Sequence, residues 1–117
     1  LSFDLCLRPL ELADGAKLAA LCPDTRFVLD HCGNGNVQAD TAARDAWKRG
    51  MEAVARQKNT VCKISGIVVS AKKGAWSADD LAPLVDFSLD AFGPDRVVFG
   101  GDWPVCTLTA PLAEWVA

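Results

Sequence analysis

Histidine is nearly absent: His31 is the only one in 117 residues. Any imidazole chemistry has to pass through that one side chain. Paired cysteines are absent too, because the five thiols at positions 6, 22, 32, 62 and 106 include no CxxC pair. That spacing excludes a zinc knuckle or disulfide scaffold and points to reduced thiols, as in a cytoplasmic protein. Cys6, Cys62 and Cys106 fall in or beside expected strands, where a reduced thiol behaves as a small hydrophobe. Clustered basic charge is missing, since the net charge is -3 and the one basic doublet is Lys72-Lys73. No nucleic-acid or anionic-membrane partner is expected on that balance. No apolar run approaches the roughly 20 residues of a membrane helix. No signal-peptide pattern opens the chain.

What is present is an ordinary globular balance, 50% hydrophobic and 23% charged, in a chain long enough for one core. Residues 2–8 read as a strand that Arg8-Pro9 ends. A helix follows from Glu11 to Leu21, with Leu12, Ala16, Ala19 and Ala20 on its apolar face. A second strand over 26–30 runs into the glycine-rich loop Cys32-Gly33-Asn34-Gly35-Asn36. Asp40 caps a second helix reaching Arg56, whose apolar positions are Ala43, Trp47, Met51, Val54 and Ala55. Val61 to Val69 reads as a third strand covered on both faces. Ser77 to Asp80 resembles a capping box opening a third helix that buries Leu81, Leu84, Val85, Leu89 and Phe92. Residues 96–100 read as a buried last strand. The chain begins inside one element and ends inside another, so it reads as a fragment of a longer protein. An absent targeting signal then weighs little.

Strict β-α alternation predicts an α/β fold with a parallel sheet. Two architectures fit: a doubly wound sheet, or four of the eight units of a (β/α)₈ barrel. Its first and last strands would be unpaired edges, unless two copies associate as a homo-oligomer. In either architecture the loops leaving the strands share one face, where such folds place chemistry. His31, Ser65, Lys72, Asp102 and Trp103 all belong to that face or its approach. Asp102 follows Phe99-Gly100-Gly101 at a strand end, placed to activate water or ligate a metal, or else to cap the following turn. His31 is placed to ligate a metal, polarise a carbonyl or shuttle a proton; the alternative is a core histidine bonded to a carbonyl. Asp30 is expected to alternate away from His31, toward the helix layer. Trp103 walls a substrate pocket or simply packs. Gly33-x-Gly35 lacks the third glycine of a dinucleotide fingerprint, where Gln38 stands. Ser65-Gly66 lacks the G-x-S-x-G elbow of a nucleophilic serine. Asp24-Thr25, Lys58-Asn59 and Pro94-Asp95 read as plain solvated turns.

Leu29-Asp30-His31-Cys32-Gly33-Asn34, Cys62-Lys63-Ile64-Ser65-Gly66 and Phe99-Gly100-Gly101-Asp102-Trp103-Pro104-Val105 together resemble the amidohydrolase superfamily. The likeness is to its amidohydrolase-related (amidohydrolase 2) branch, which contains L-fuconolactonase and 2-pyrone-4,6-dicarboxylate lactonase. The resemblance runs the length of the chain and implies the C-terminal half of a (β/α)₈ barrel, strands five to eight. It implies that His31 ends strand six and Asp102 strand eight. Asp102 would take a proton from the attacking water, and His31 would bind a metal or stabilise the developing oxyanion. Trp103 would line the substrate pocket. A divalent metal such as zinc, held by His31 and Asp102, is one implication; metal-independent action is the other, since residues 3–7 hold no histidine. The implied activity is hydrolysis of a lactone of a sugar acid or similar small carboxylate, which Lys72 or Lys73 would help hold. The alternatives are a metal-dependent decarboxylase of the same superfamily and an inactive fragment.

Overall fold

Four short β-branched and aromatic runs pair side by side in the computed structural model, which describes residues 1–117. They are β1 (Ser2–Leu5), β2 (Arg26–Leu29), β3 (Thr60–Ile64) and β4 (Val97–Phe99), all parallel and in sequential order across the sheet. Leu5, Leu29, Cys62 and Val97 share one row of the register. Three helices link the strands: α1 (Leu12–Leu21), α2 (Thr41–Ala55) and α3 (Ala78–Phe92). A short α4 (Leu112–Trp115) sets Trp115 against Phe99, ring centroids 5.7 Å apart.

The helices cover one face of the sheet only. Leu5, Phe27, Leu29, Thr60 and Cys62 point into that layer and are buried with Leu12, Met51, Val54 and Leu84. The intervening residues Asp4, Val28, Val61, Lys63 and Val98 line the other face, which stays partly or fully open. Helices on one side rule out the doubly wound alternative, which needs both sides covered. The chain is four βα units of a (β/α)₈ barrel, and the open face is the side that such a barrel encloses.

That geometry explains where expectation and structure part. The run Val97-Val98-Phe99 is not buried: Val98 is 47% and Phe99 57% exposed, because β4 is an edge strand with one uncovered face. The third strand stops at Ile64 rather than Val69. Gly66 turns the backbone left-handed, and Ile67 to Ser70 form a 3-10 turn that still buries Ile67 and Val68. Hydrophobicity there signals burial without a strand. The first strand ends at Leu5, leaving Cys6 exposed instead of packed. Ala20, Ala43 and Leu89 fall just off the buried helix faces, while Gly15, Gly50 and Ser88 lie inside them. A Cβ at position 50 would stand 2.7 Å from Leu12 Cβ, so glycine sets the close approach of α1 and α2.

The helix starts match expectation. Asp40 accepts from the Ala43 N–H at 2.8 Å, and Asp80 accepts from both the N–H and the hydroxyl of Ser77. The turns entering the strands are less plain than they read. The Asn59 amide donates to the carbonyls of Ala19, Cys22 and Thr25 at 2.9–3.0 Å. The Arg96 guanidinium donates to the carbonyls of Phe92, Gln57, Thr60 and Ala55. These two side chains tie the helix ends to the strand starts.

Candidate active site

His31 and Asp102 meet at the C-terminal ends of β2 and β4. The imidazole Nε2 lies 4.0 Å from Asp102 Oδ1, with the side chains 22% and 16% exposed. The other ring nitrogen, Nδ1, is 2.8 Å from Ser65 Oγ, and Ser65 is 1% exposed. Three strand ends thus bring together one imidazole, one hydroxyl and one carboxylate. Ser65 lies on this face as expected, and its hydroxyl contacts the imidazole ring.

Both chemical groups sit on unusual backbone. His31, Cys32, Gly33 and Asn34 have φ of 56, 49, 62 and 52°, a single left-handed turn, and Asp102 has φ 54°. Left-handed conformations cost a non-glycine residue roughly 1–2 kcal/mol, and such strain gathers at functional sites. The surroundings over-determine the turn. Trp47 Nε1 donates to the Cys32 carbonyl at 2.8 Å and Asn34 Nδ2 to the Leu7 carbonyl at 2.8 Å. Gly66 completes the site by what it omits: a Cβ there would stand 2.7 Å from His31 Nδ1 and 3.0 Å from Asp102 Oδ2.

Asp30 corrects one expectation. Leu29 points into the helix layer, so Asp30, one residue on, points to the open face and not toward the helices. Its carboxylate pairs with Lys63 Nζ at 2.5 Å. That hydrogen bond raises the Lys63 ammonium above its ordinary pKa against the opposing effect of burial, and the charges of Asp30, Asp4 and Asp102 add to the rise. Lys63, which the sequence reading passed over, is the cation that the structure sets beside Asp30; Lys72 and Lys73 do not pair with these carboxylates. The latter two stay exposed on the loop after β3 and make no ion pair. The period-2 alternation of β3, with Cys62 inward, was the signal that could have singled out Lys63. Trp103 is 70% exposed beside Asp102, with its ring free on the rim.

A cavity of about 810 Å³ between Arg8, Leu10, Asp40, Arg44, Trp47 and Leu84 contains neither His31 nor Asp102. The site is instead an open sheet end. Its donors suit a metal of the zinc type: an imidazole, carboxylates and, from Cys6, a thiol. One ligand atom each of Cys6, Asp30 and His31 lie within 4.8 Å of one another. No helix is long and apolar enough to cross a membrane.

Comparison with known proteins extends this geometry. The amidohydrolase family profile (the amidohydrolase 2 branch) matches residues 1–117. An L-fucono-1,5-lactonase of Burkholderia multivorans is 34% identical over 96% of this chain and 40% of its own length. An L-fucono-1,5-lactonase of Burkholderia ambifaria is 30% identical over 100% of this chain and 39% of its own. The crystal structure of an amidohydrolase from Burkholderia multivorans with bound zinc superposes with TM-score 0.88 at 34% identity, over 98% of this chain and 42% of that one. Amidohydrolase 2 from Bifidobacterium longum subsp. infantis gives TM-score 0.71 at 31% identity, over 97% and 39%. The chain thus spans about two fifths of the length of the curated relatives it matches. By sequence along its whole length and by fold, this chain belongs to the amidohydrolase family.

Proposed function

We propose that residues 1–117 carry the acid–base half of a lactonase site, and that the other barrel units complete it. The substrate class is the lactone of a sugar acid or a similar small carboxylate. One observation carries this reading. The lone histidine and Asp102, each held on left-handed backbone, face one another 4.0 Å apart across the end of β3, at the ends of β2 and β4. Lactonase-named relatives support the substrate class.

In the proposed reaction a water molecule lies between Asp102 and the lactone carbonyl carbon. Asp102 takes a proton as the water oxygen bonds to that carbon. His31 faces the carbonyl oxygen, where negative charge develops. The ring C–O bond then breaks, and the proton held by Asp102 passes to the leaving alkoxide, giving the open hydroxy acid. Trp103 offers an apolar wall for the ring. Where a divalent metal is bound, His31 and Asp102 would hold it, and it would polarise the carbonyl and acidify the water.

The test is hydrolysis of sugar-acid 1,5-lactones by the complete enzyme that contains these residues, followed by acid release. Asp102→Asn should lower kcat by about 10²–10⁴. Near-wild-type turnover by that variant would remove the assignment.

A further inference from the structure

Cys6 is the exposed donor of the site and plays no part in the reaction above. Asp30 N–H donates to the Leu5 carbonyl at 3.0 Å, which extends the β1–β2 ladder and sets Cys6 beside Asp30. Alternation places the thiol on the open face with Asp4. The three donors Cys6, Asp30 and His31 come from two neighbouring strand ends, with ligand atoms inside 4.8 Å. We infer that Cys6 is a metal ligand, and that Cys6, His31 and Asp30 together select a thiophilic divalent cation of the zinc type over magnesium or calcium.

Three observations support this. First, Ser65 occupies His31 Nδ1, so donation of Nδ1–H to its hydroxyl leaves the Nε2 lone pair free for a cation. Second, charge is unbalanced: Asp4, Asp30 and Asp102 surround one ammonium, Lys63. A divalent cation bound by a thiolate lowers the excess negative charge of Cys6, the three carboxylates and Lys63 by one unit. Third, the distances fit. Zn–N of about 2.0–2.1 Å and Zn–S of about 2.3 Å put tetrahedral ligand atoms roughly 3.3–3.7 Å apart. Cys6 is exposed, so its side chain is free to turn toward the other two donors. Sulfur among the donors sets the preference, because thiolate favours zinc and cobalt and disfavours hard cations.

This inference rests on the site described above but is read without any turnover. Cobalt(II) titrated into the chain should produce a thiolate-to-cobalt charge-transfer band in the near ultraviolet. Cys6→Ser should abolish the band and weaken cobalt binding by more than about a hundredfold, beyond the loss of an outer-sphere partner. Cys22→Ser should retain it. His31→Gln should weaken binding with the band's position altered. Zinc, but not magnesium, should slow alkylation of Cys6 by iodoacetamide. No band in the wild type, a band that survives Cys6→Ser, or alkylation indifferent to zinc would each overturn the inference. A band without lactone hydrolysis refutes the proposed reaction alone, and hydrolysis without a band refutes the metal ligand alone.

Discussion

Asp102→Gly should leave the fold about as stable as the wild type, although it deletes a charge at the centre of the site. Asp102 has φ 54°, which costs a non-glycine residue roughly 1–2 kcal/mol. Glycine relieves that cost but restores about 0.5–1 kcal/mol of unfolded-chain entropy. The carboxylate's one ion-pair contact is His31 Nε2 at 4.0 Å, and a loose, partly exposed pair contributes about 0–1 kcal/mol. The sum runs from about -1 to about +1.5 kcal/mol, a Tm shift of no more than about 7 °C in a domain of this size. Asp40 provides the contrast. Its carboxylate caps α2 through the Ala43 N–H, so Asp40→Ala should cost about 1 kcal/mol. Calorimetric melting of both variants is the assay. A loss above about 2 kcal/mol in Asp102→Gly would mean that the carboxylate holds the fold, and the reasoning from strain would fail.

Gly66→Ala should lose at least about 1 kcal/mol, from the left-handed φ of 66° and the Cβ contact with the imidazole. It should also displace the single histidine resonance in an NMR spectrum; an unmoved resonance would show that Gly66 does not shape the site. Arg96→Met strips donors from the carbonyls of Ala55, Gln57, Thr60 and Phe92. A drop of at least about 2 kcal/mol in denaturant unfolding is expected, and a change below 0.5 kcal/mol or so would demote the clamp. Without metal, alkylation followed by mass spectrometry should label Cys6 first and Cys22 next. Cys32, Cys62 and Cys106 are buried and should react only on unfolding; early labelling of Cys32 would show that the turn after β2 opens in the native state.

Element order, helix caps and the strand-end positions of His31 and Asp102 were legible because local signals carry them. The Asp40 and Asp80 carboxylates accept from free N–H groups at the starts of α2 and α3, and His31 and Asp102 follow runs that end strands. The misreadings have one physical origin. An apolar residue reports that something covers it, without saying what. Ile67 and Val68 are covered by a 3-10 turn, whereas Val98 and Phe99 are not covered within the chain. Asp30 was turned the wrong way because its side was counted from His31, which has already left the strand for the left-handed turn. Counting back to Leu29 gives the right face. Asn59 and Arg96 were invisible for another reason: their value lies in carbonyls distant in the chain, which no short window contains.

The order of the sheet has a consequence for synthesis. Each strand is paired only with the strands immediately before and after it in the chain. Contacts can therefore close in the order in which residues leave the ribosome, each closure spanning a single helix. β1, α1 and β2 can associate while Thr60 is still to be made, since the Phe3–Phe27 register needs nothing downstream. Of the three groups that meet at the strand ends, Asp102 is made last, and until then the nascent chain presents His31 and Ser65 without that carboxylate.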